Sequence, residues 1–252
     1  MVKMIMHGCN GHMGQVISKL VAEDNEIEIV AGIDVVDNKD NGYPVFTNIF
    51  DCDVEADVIV DFAAAVAVDN LLQYGKDKQI PIVLCTTGLT EDQINKVKET
   101  SKEVAILKSA NMSLGINTMA KVMKAVTKVL TDAGFDVEIV EKHHNQKLDA
   151  PSGTAIMLAD SVNEAMDNQY TYVYDRSQVR KVRDTKEIGI SAVRGGSIVG
   201  DHDVIFAGRD EVITISHMAY SRAIFGNGAI AAAKFLAGKE AGYYNMGHVI
   251  NG

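Results

Sequence analysis

Residues 2–34, VKMIMHGCNGHMGQVISKLVAEDNEIEIVAGID, hold a complete strand–turn–helix–strand unit. Residues 2–6 are a short apolar strand. Gly8, Gly11 and Gly14 interrupt it, and Met13, Val16, Ile17, Leu20 and Val21 then recur at helical spacing. Residues 26–34 read as a second strand ending on Asp34. Strand, glycine turn, helix, strand and terminal acid form a βαβ unit of the kind that holds a dinucleotide. Backbone N–H groups from Gly8, Cys9, Asn10, Gly11, His12 and Met13, with the helix start behind them, suit a pyrophosphate. Asn10 stands where the second glycine of G-x-G-x-x-G would fall, and asparagine tolerates the left-handed region better than most residues. Glycine turns between strand and helix are often only structural. Here the placement after a first strand and before an amphipathic helix strengthens the reading.

Asp34 falls where an acid hydrogen-bonds the adenosine ribose. No basic residue directly follows it, the nearest being Lys39, which favours NADH over NADPH. His12 or Lys39 can still accommodate a 2′-phosphate.

The alternation continues through strands at 57–62, 80–85 and 104–108 and helices at 66–77 and about 91–102. Thr90 and Gln93 resemble a capping box for the latter helix. Residues 35–50 are polar and turn-rich and read as a loop. These strands are apolar on both faces, as in a parallel sheet covered by helices. Two of them end in Cys85-Thr86-Thr87-Gly88 and Ser109-Ala110-Asn111-Met112, and ligands of open α/β sheets bind at such carboxyl ends. Taken alone, either would be ordinary loop chemistry.

After Asn111 the texture changes. A long helix at about 115–130, a strand at 135–141 and a helix after Thr154 precede three successive strands at 188–194, 198–206 and 211–218. Strands without intervening helices imply an antiparallel or mixed sheet. The tail, 222–238, is Ala-rich helix. The fold class is therefore α/β: a Rossmann-type parallel sheet and a second, α+β unit on a mixed sheet.

Residues 141–155, EKHHNQKLDAPSGTA, carry the chemistry. His143, His144 and Lys147 lie just ahead of a helix that starts at Ser152-Gly153-Thr154, whose hydroxyls and N–H groups suit a carboxylate. An imidazole titrates near neutrality and can exchange a proton there. Adjacent histidines on an extended chain point to opposite sides, so one of the pair faces a given ligand atom unless the strand has already ended. No third ligand stands at zinc spacing, although His202 and His217 are available, so a metal is the lesser reading.

The bulk properties agree. A chain of 252 residues with 47% hydrophobic and 23% charged residues is ordinary globular material. Its formal net charge of −10 disfavours nucleic acid and anionic membrane as partners, and any anion site needs its own local cations. No run spans a bilayer and no signal peptide is apparent. Cys9, Cys52 and Cys85 are odd in number and far apart, which points to a reducing cytoplasm rather than a disulfide framework.

The run E-x-H-H-x-x-K-x-D-A-P-S-G-T-A resembles the signature of the 4-hydroxy-tetrahydrodipicolinate (dihydrodipicolinate) reductases of bacterial lysine biosynthesis. The turn at 8–14, Cys85-Thr86-Thr87-Gly88, Ser109-Ala110-Asn111-Met112-Ser113 and the stretch from Val193-Arg194 to Asp201-His202 are also similar, so the resemblance covers most of the chain. Two positions depart from the family's pattern: Cys85 replaces an expected glycine, and His12 stands where Arg or Lys is frequent.

The resemblance implies a cofactor domain of residues 1–112 and 222–252, with a substrate-binding and oligomerisation domain of 113–221 inserted between. It implies reduction of a cyclic imine dicarboxylate by NADH or NADPH with loss of water, in diaminopimelate and lysine biosynthesis. It gives His143 as acid/base and Lys147 as proton donor, with Lys147 equally readable as a binding cation. It gives His144, Ser152, Gly153 and Thr154 as holders of a substrate carboxylate, and a homotetramer as the assembly. Two rivals share the glycine turn: another two-domain dehydrogenase, and a dinucleotide sensor without turnover. The first leaves the spacing of Lys147 and Ser152-Gly153-Thr154 unexplained, and the second has no use for a proton-exchanging group beside an anion cradle.

Overall fold

The computed structural model describes residues 1–252. The chain forms two compact units, Met1–Leu114 with Ala223–Gly252, and Gly115–Arg222.

The first unit contains β1 (Val2–His7), α1 (His12–Ala22), β2 (Ile27–Ile33), β3 (Val45–Phe46), β4 (Val58–Asp61), α2 (Val68–Lys78), β5 (Ile82–Leu84), α3 (Glu91–Thr100) and β6 (Ala105–Lys108). Helix α4 (Leu114–Asp132) begins at its boundary. The second unit continues with β7 (Asp136–His143), α5 (Gly153–Glu164), β8 (Thr171–Val173), β9 (Glu187–Arg194), β10 (Gly200–Ala207) and β11 (Val212–Ala219). The chain then returns to the first unit as α6 (Ala223–Leu236), β12 (Gly242–Tyr244) and α7 (Met246–Asn251).

In the first unit seven strands lie in the order β12-β6-β5-β4-β1-β2-β3, all paired parallel. The strand period of two sorts their side chains into two cores. Met4, Met6, Val58, Val60, Val83, Ala105 and Leu107 face one side, with Ile17 of α1 and Ala229, Ala232 and Ala233 of α6. Ile5, Ile59, Ile82, Leu84 and Ile106 face the other, with Leu71 of α2 and Val97 of α3. Both faces are therefore dry, the condition for a wholly parallel sheet. The capping box at α3 is present in full: the Thr90 hydroxyl accepts from the Gln93 N–H, and the Gln93 side chain accepts from the Thr90 N–H.

The second unit holds a mixed five-stranded sheet, β11-β10-β7-β9-β8, in which β10 runs antiparallel to both β7 and β11 while β7, β9 and β8 are mutually parallel. Strands β9 and β10, consecutive in sequence, do not pair; β7 lies between them. Its core joins Met119 and Met123 of α4 and Leu158 and Val162 of α5 to Val137, Ile139, Ile190, Val204 and Phe206 of the sheet.

The loop expected at 35–50 is corrected in part. Val45 and Phe46 pair with Gly32 and Ile33 as β3, and Ile49–Asp51 forms a 3₁₀ turn. Two residues satisfy the open edge of β2 there, too few to show a hydrophobic period. The same shortness hid β8, β12 and α7.

Candidate active site

In the first unit the glycine turn is folded against the end of β2. The Gly8 N–H donates to the Ile33 carbonyl at 2.8 Å, and the Gly11 N–H to the Gly8 carbonyl at 3.1 Å. Gly8 has φ +84°, and a Cβ there would meet the Phe62 carbonyl at 2.8 Å. A Cβ on Gly14 would press into the Gly8 and Cys9 carbonyls. Glycine is thus required at both places by close backbone approach. Helix α1 starts at Gly11 with no side-chain cap, which leaves its first N–H groups for an anion.

Asp34 binds the turn directly. Its Oδ2 accepts from the Asn10 N–H at 2.8 Å and its Oδ1 from the Val35 N–H at 2.8 Å. Each oxygen keeps a further lone pair for a hydroxyl donor. Gly8, Asn10, Gly11, Asp34, Lys39 and Phe62 line one cleft of about 660 Å³. The Lys39 ammonium donates to the Asn10 carbonyl at 2.8 Å. An uncapped helix start, a turn with no room for Cβ and an acid at the next strand end fit a dinucleotide.

The remaining residues expected at this site divide by depth. His12 is exposed and Met13 half-buried. The Cys9 and Met112 side chains lie in the core, so only their backbones can face a cofactor. Burial and the Asp34 carboxylate push the Cys9 thiol up to about 11, so it stays protonated at neutral pH. Cys85, Thr86 and Thr87 follow β5, and Ser109, Ala110 and Asn111 follow β6, outside the cleft lining. The Thr86 hydroxyl donates to the Ala63 carbonyl at 3.1 Å, and Asn111 Oδ1 accepts from the Ser113 N–H at 2.8 Å. Burial and Asp61 push the Cys85 thiol well up, which removes it as a nucleophile.

The sequence reading missed a polar cluster at these strand ends. His7 Nδ1 lies 2.7 Å from Asp61 Oδ1, with Asp61 fully buried. Lys108 donates to the Thr86 carbonyl at 3.3 Å, and burial lowers its pKa. His7, Asp61 and Lys108 each stand at the carboxyl end of a parallel strand, and that placement was the available signal.

In the second unit β7 ends on His143, which is buried, and His144 follows in a turn, half-buried. His143 Nδ1 lies 2.6 Å from Glu141 Oε2, and Glu141 is fully buried. Arg194 of β9 holds both carboxylate oxygens at 2.7 Å and also donates to the Asp149 carbonyl at 2.7 Å. The Ser152 N–H donates to Glu141 Oε1 at 2.9 Å. Burial pushes the Glu141 carboxyl up, but Arg194, His143 and the Ser152 N–H outweigh it and hold it below the usual range. Glu141 and Arg194 were given no role from sequence, although Glu141 and His143 sit two residues apart on one face of a strand.

Ser152 is the N-cap of α5, its Oγ accepting from the Ala155 N–H at 3.1 Å. The same Oγ lies 3.2 Å from His202 Nε2, and the His202 ring meets His143 edge-on at 5.1 Å. Burial, then the nearness of His143, lowers His202 to about 4, so it is neutral at neutral pH. Its Nδ1 is buried without a partner. An unpaired lone pair there costs less than an unpaired N–H, which puts the proton on Nε2, donating to Ser152. The Ser152 hydroxyl proton is then available to a ligand. Gly153 opens α5 with free space where a Cβ would point, and Thr154 follows, half-buried. The Lys147 ammonium pairs with Asp149 at 2.8 Å, and its backbone N–H donates to the His144 carbonyl at 3.2 Å. No group of three or more His, Cys, Asp or Glu side chains is placed to hold a metal ion.

A parallel sheet with a glycine turn, an uncapped helix start and a strand-end acid, interrupted by a unit that presents imidazoles at a helix N-terminus, defines a two-unit reductase on a Rossmann-type nucleotide fold. Residues 2–112 match the family described as dihydrodipicolinate reductase, N-terminus, and residues 115–250 its C-terminal counterpart. The 4-hydroxy-tetrahydrodipicolinate reductase of Caldanaerobacter subterraneus subsp. tengcongensis is 52% identical over 98% of this chain and 97% of its own length. That of Clostridium tetani is 48% identical over 100% and 98%. A solved structure of dipicolinate-bound dihydrodipicolinate reductase from Paenisporosarcina sp. TG-14 shares the fold at TM-score 0.80, with 24% identity over 97% of both chains. The chain belongs to the dihydrodipicolinate reductase family, whose members are NAD(P)H-dependent oxidoreductases of diaminopimelate and lysine biosynthesis.

Proposed function

We propose that the chain reduces 4-hydroxy-tetrahydrodipicolinate to tetrahydrodipicolinate, taking up one hydride and one proton and releasing one water. The observation that carries this reading is the cluster of His143, His202 and Ser152 at the start of α5, where a proton-exchanging ring and an anion cradle share one hydrogen-bonded network. Membership of the family supports it.

The segments 1–112 and 222–252 form the dinucleotide-binding domain, and 113–221 the substrate-binding and oligomerisation domain. The reduced nicotinamide supplies the hydride when bound. The turn at Gly8–Met13 and the α1 start hold the pyrophosphate, Asp34 takes the ribose, and the segments at Cys85–Thr87 and Ser109–Met112 complete the cofactor site. NADH is favoured and NADPH is accepted: Asp34 repels a 2′-phosphate, while Lys39 lines the same cleft. In the other unit Ser152, Gly153 and Thr154 present hydroxyls and N–H groups to a carboxylate of the substrate, with His144 beside them. His143 exchanges the proton. Lys147 contributes the local cation that a chain of net charge −10 needs for a dianion, and substrate competes with Asp149 for it.

The assembly is a homotetramer. Exposed Val212 and Met218 on β11, Val193 on β9 and Tyr220 beyond β11 support association through this sheet. Three free cysteines suit a cytoplasmic setting, and no helix is long and apolar enough to cross a membrane.

The test is oxidation of NADH and NADPH, run separately, with substrate made fresh from pyruvate and aspartate semialdehyde by the preceding synthase. Consumption that requires the synthase product, faster with NADH, is expected. No consumption from folded protein would overturn the reading, and a faster rate with NADPH would overturn the cofactor preference alone.

A further inference from the structure

We propose that Glu141 is a positioning residue that holds His143 with its proton on Nδ1, so that Nε2 is the nitrogen that exchanges protons with a ligand. The proposal rests on the reductase reading for the purpose of that exchange, but not for its geometry.

The bonding of Glu141 is saturated. Oε1 accepts from the Ser152 N–H and from Arg194, and Oε2 accepts from Arg194 and lies 2.6 Å from His143 Nδ1. A carboxylate that accepts a bidentate guanidinium is ionised and can only accept. Nδ1 must therefore be the donor. A neutral imidazole has one N–H, so Nε2 carries the lone pair. Nε2 faces the Gly200 backbone, where a Cβ would come within 3.0 Å of it. The absence of a side chain at Gly200 keeps that nitrogen open.

Glu141 also ties the ring to the cradle. One oxygen holds the His143 imidazole and the other the backbone of the α5 N-cap, so the proton-exchanging atom and the anion-binding hydroxyl are fixed to one rigid group. Arg194 neutralises the buried charge from β9 and anchors the same group to the Asp149 carbonyl. The charged and titratable groups around the His143–His202 pair are Glu141 on the strand of His143, Arg194 from β9, Lys147 from the turn after β7 and His217 of β11.

Glu141→Gln tests this because an amide cannot reproduce the pattern. With its nitrogen at the Oε1 position it opposes two donors, Ser152 N–H and Arg194. With its nitrogen at the Oε2 position it opposes an Arg194 N–H, donates to Nδ1 and moves the ring proton to Nε2. We expect kcat to fall about 100-fold or more, the scale of a lost general acid or base, while dipicolinate affinity falls by a much smaller factor, since the amide oxygen can still accept from the Ser152 N–H. An unchanged kcat, or a kcat loss matched by an equal loss of dipicolinate affinity, overturns the proposal.

The second measurement needs no variant: ¹⁵N chemical shifts of the imidazoles in the intact wild-type chain above pH 8, with His143 assigned by its absence from His143→Asn. A protonated Nδ1 and a pyridine-type Nε2 support the proposal, and the reverse tautomer overturns it even if Glu141→Gln fails to fold. A wild-type chain with the Nδ1–H tautomer that consumes no reduced cofactor would overturn the reductase reading and support the hold of Glu141 on His143.

Discussion

His202 shows how one buried side chain couples the site to stability. Its value of about 4 in the folded chain lies below the ordinary 6.5, so the unfolded chain takes up the proton first. The sign follows: the stabilisation is complete above pH 6.5 and declines as pH falls toward 4, by about 3 kcal/mol over the whole window. His217, also lowered by burial, acts in the same direction. Glu141 and Asp203 have lowered carboxyl values and lose their contribution only as pH falls below the ordinary carboxylate range. Urea denaturation between pH 7.5 and 5 should therefore show falling stability in the wild type and a flatter profile in His202→Phe. Equal slopes would mean that His202 is not held neutral. The sequence offered His202 only as a spare metal ligand, because nothing in its neighbours along the chain announces a contact with Ser152 50 positions away.

Among the elements, the turn between β1 and α1 was the most legible, since its glycines are spaced by the same requirement the structure imposes. Gly14 lies in the first turn of α1, packed on the carbonyls of Gly8 and Cys9, the latter only 2.6 Å from where a Cβ would be. Backbone cannot yield as a flexible side chain can. Gly14→Ala should cost about 1–3 kcal/mol by overpacking and weaken NADH binding, measured by thermal unfolding and by titration of cofactor fluorescence. Retention of both would show that the turn relaxes without loss. Helix α5 was legible too, from its Ser-Gly-Thr start, and so was strand β7, read as 135–141 and running on to His143 in the structure. Strands β3, β8 and β12 were not, because strands of two or three residues carry too little hydrophobic pattern to reveal a period.

At the scale of the whole molecule the chain leaves one unit, builds a second with its own core and returns, so each unit carries its own hydrogen-bonded site. Ligands that bind one folded unit should protect that unit first. With NADH, slowed amide exchange is expected at 8–14 and 33–36; with dipicolinate, at 141–155 and 200–203. Protection by dipicolinate confined to the glycine turn would contradict the assignment of substrate to the inserted unit.

The sequence by itself determined the parallel α/β unit, the change of texture after Asn111, the glycine turn with Asp34, and the imidazole–lysine–serine run. Those features are local: spacing of apolar residues, glycine where backbone must bend, and capping residues where a helix starts. The tertiary structure alone decided that β7 would lie between β9 and β10, that Arg194 and Glu141 would neutralise one another under His143, and that His202 would meet Ser152. Those pairings join residues far apart along the chain, and their partners are fixed by strand order, by burial that leaves no charge without a counter-charge, and by the few directions in which a buried donor can find an acceptor.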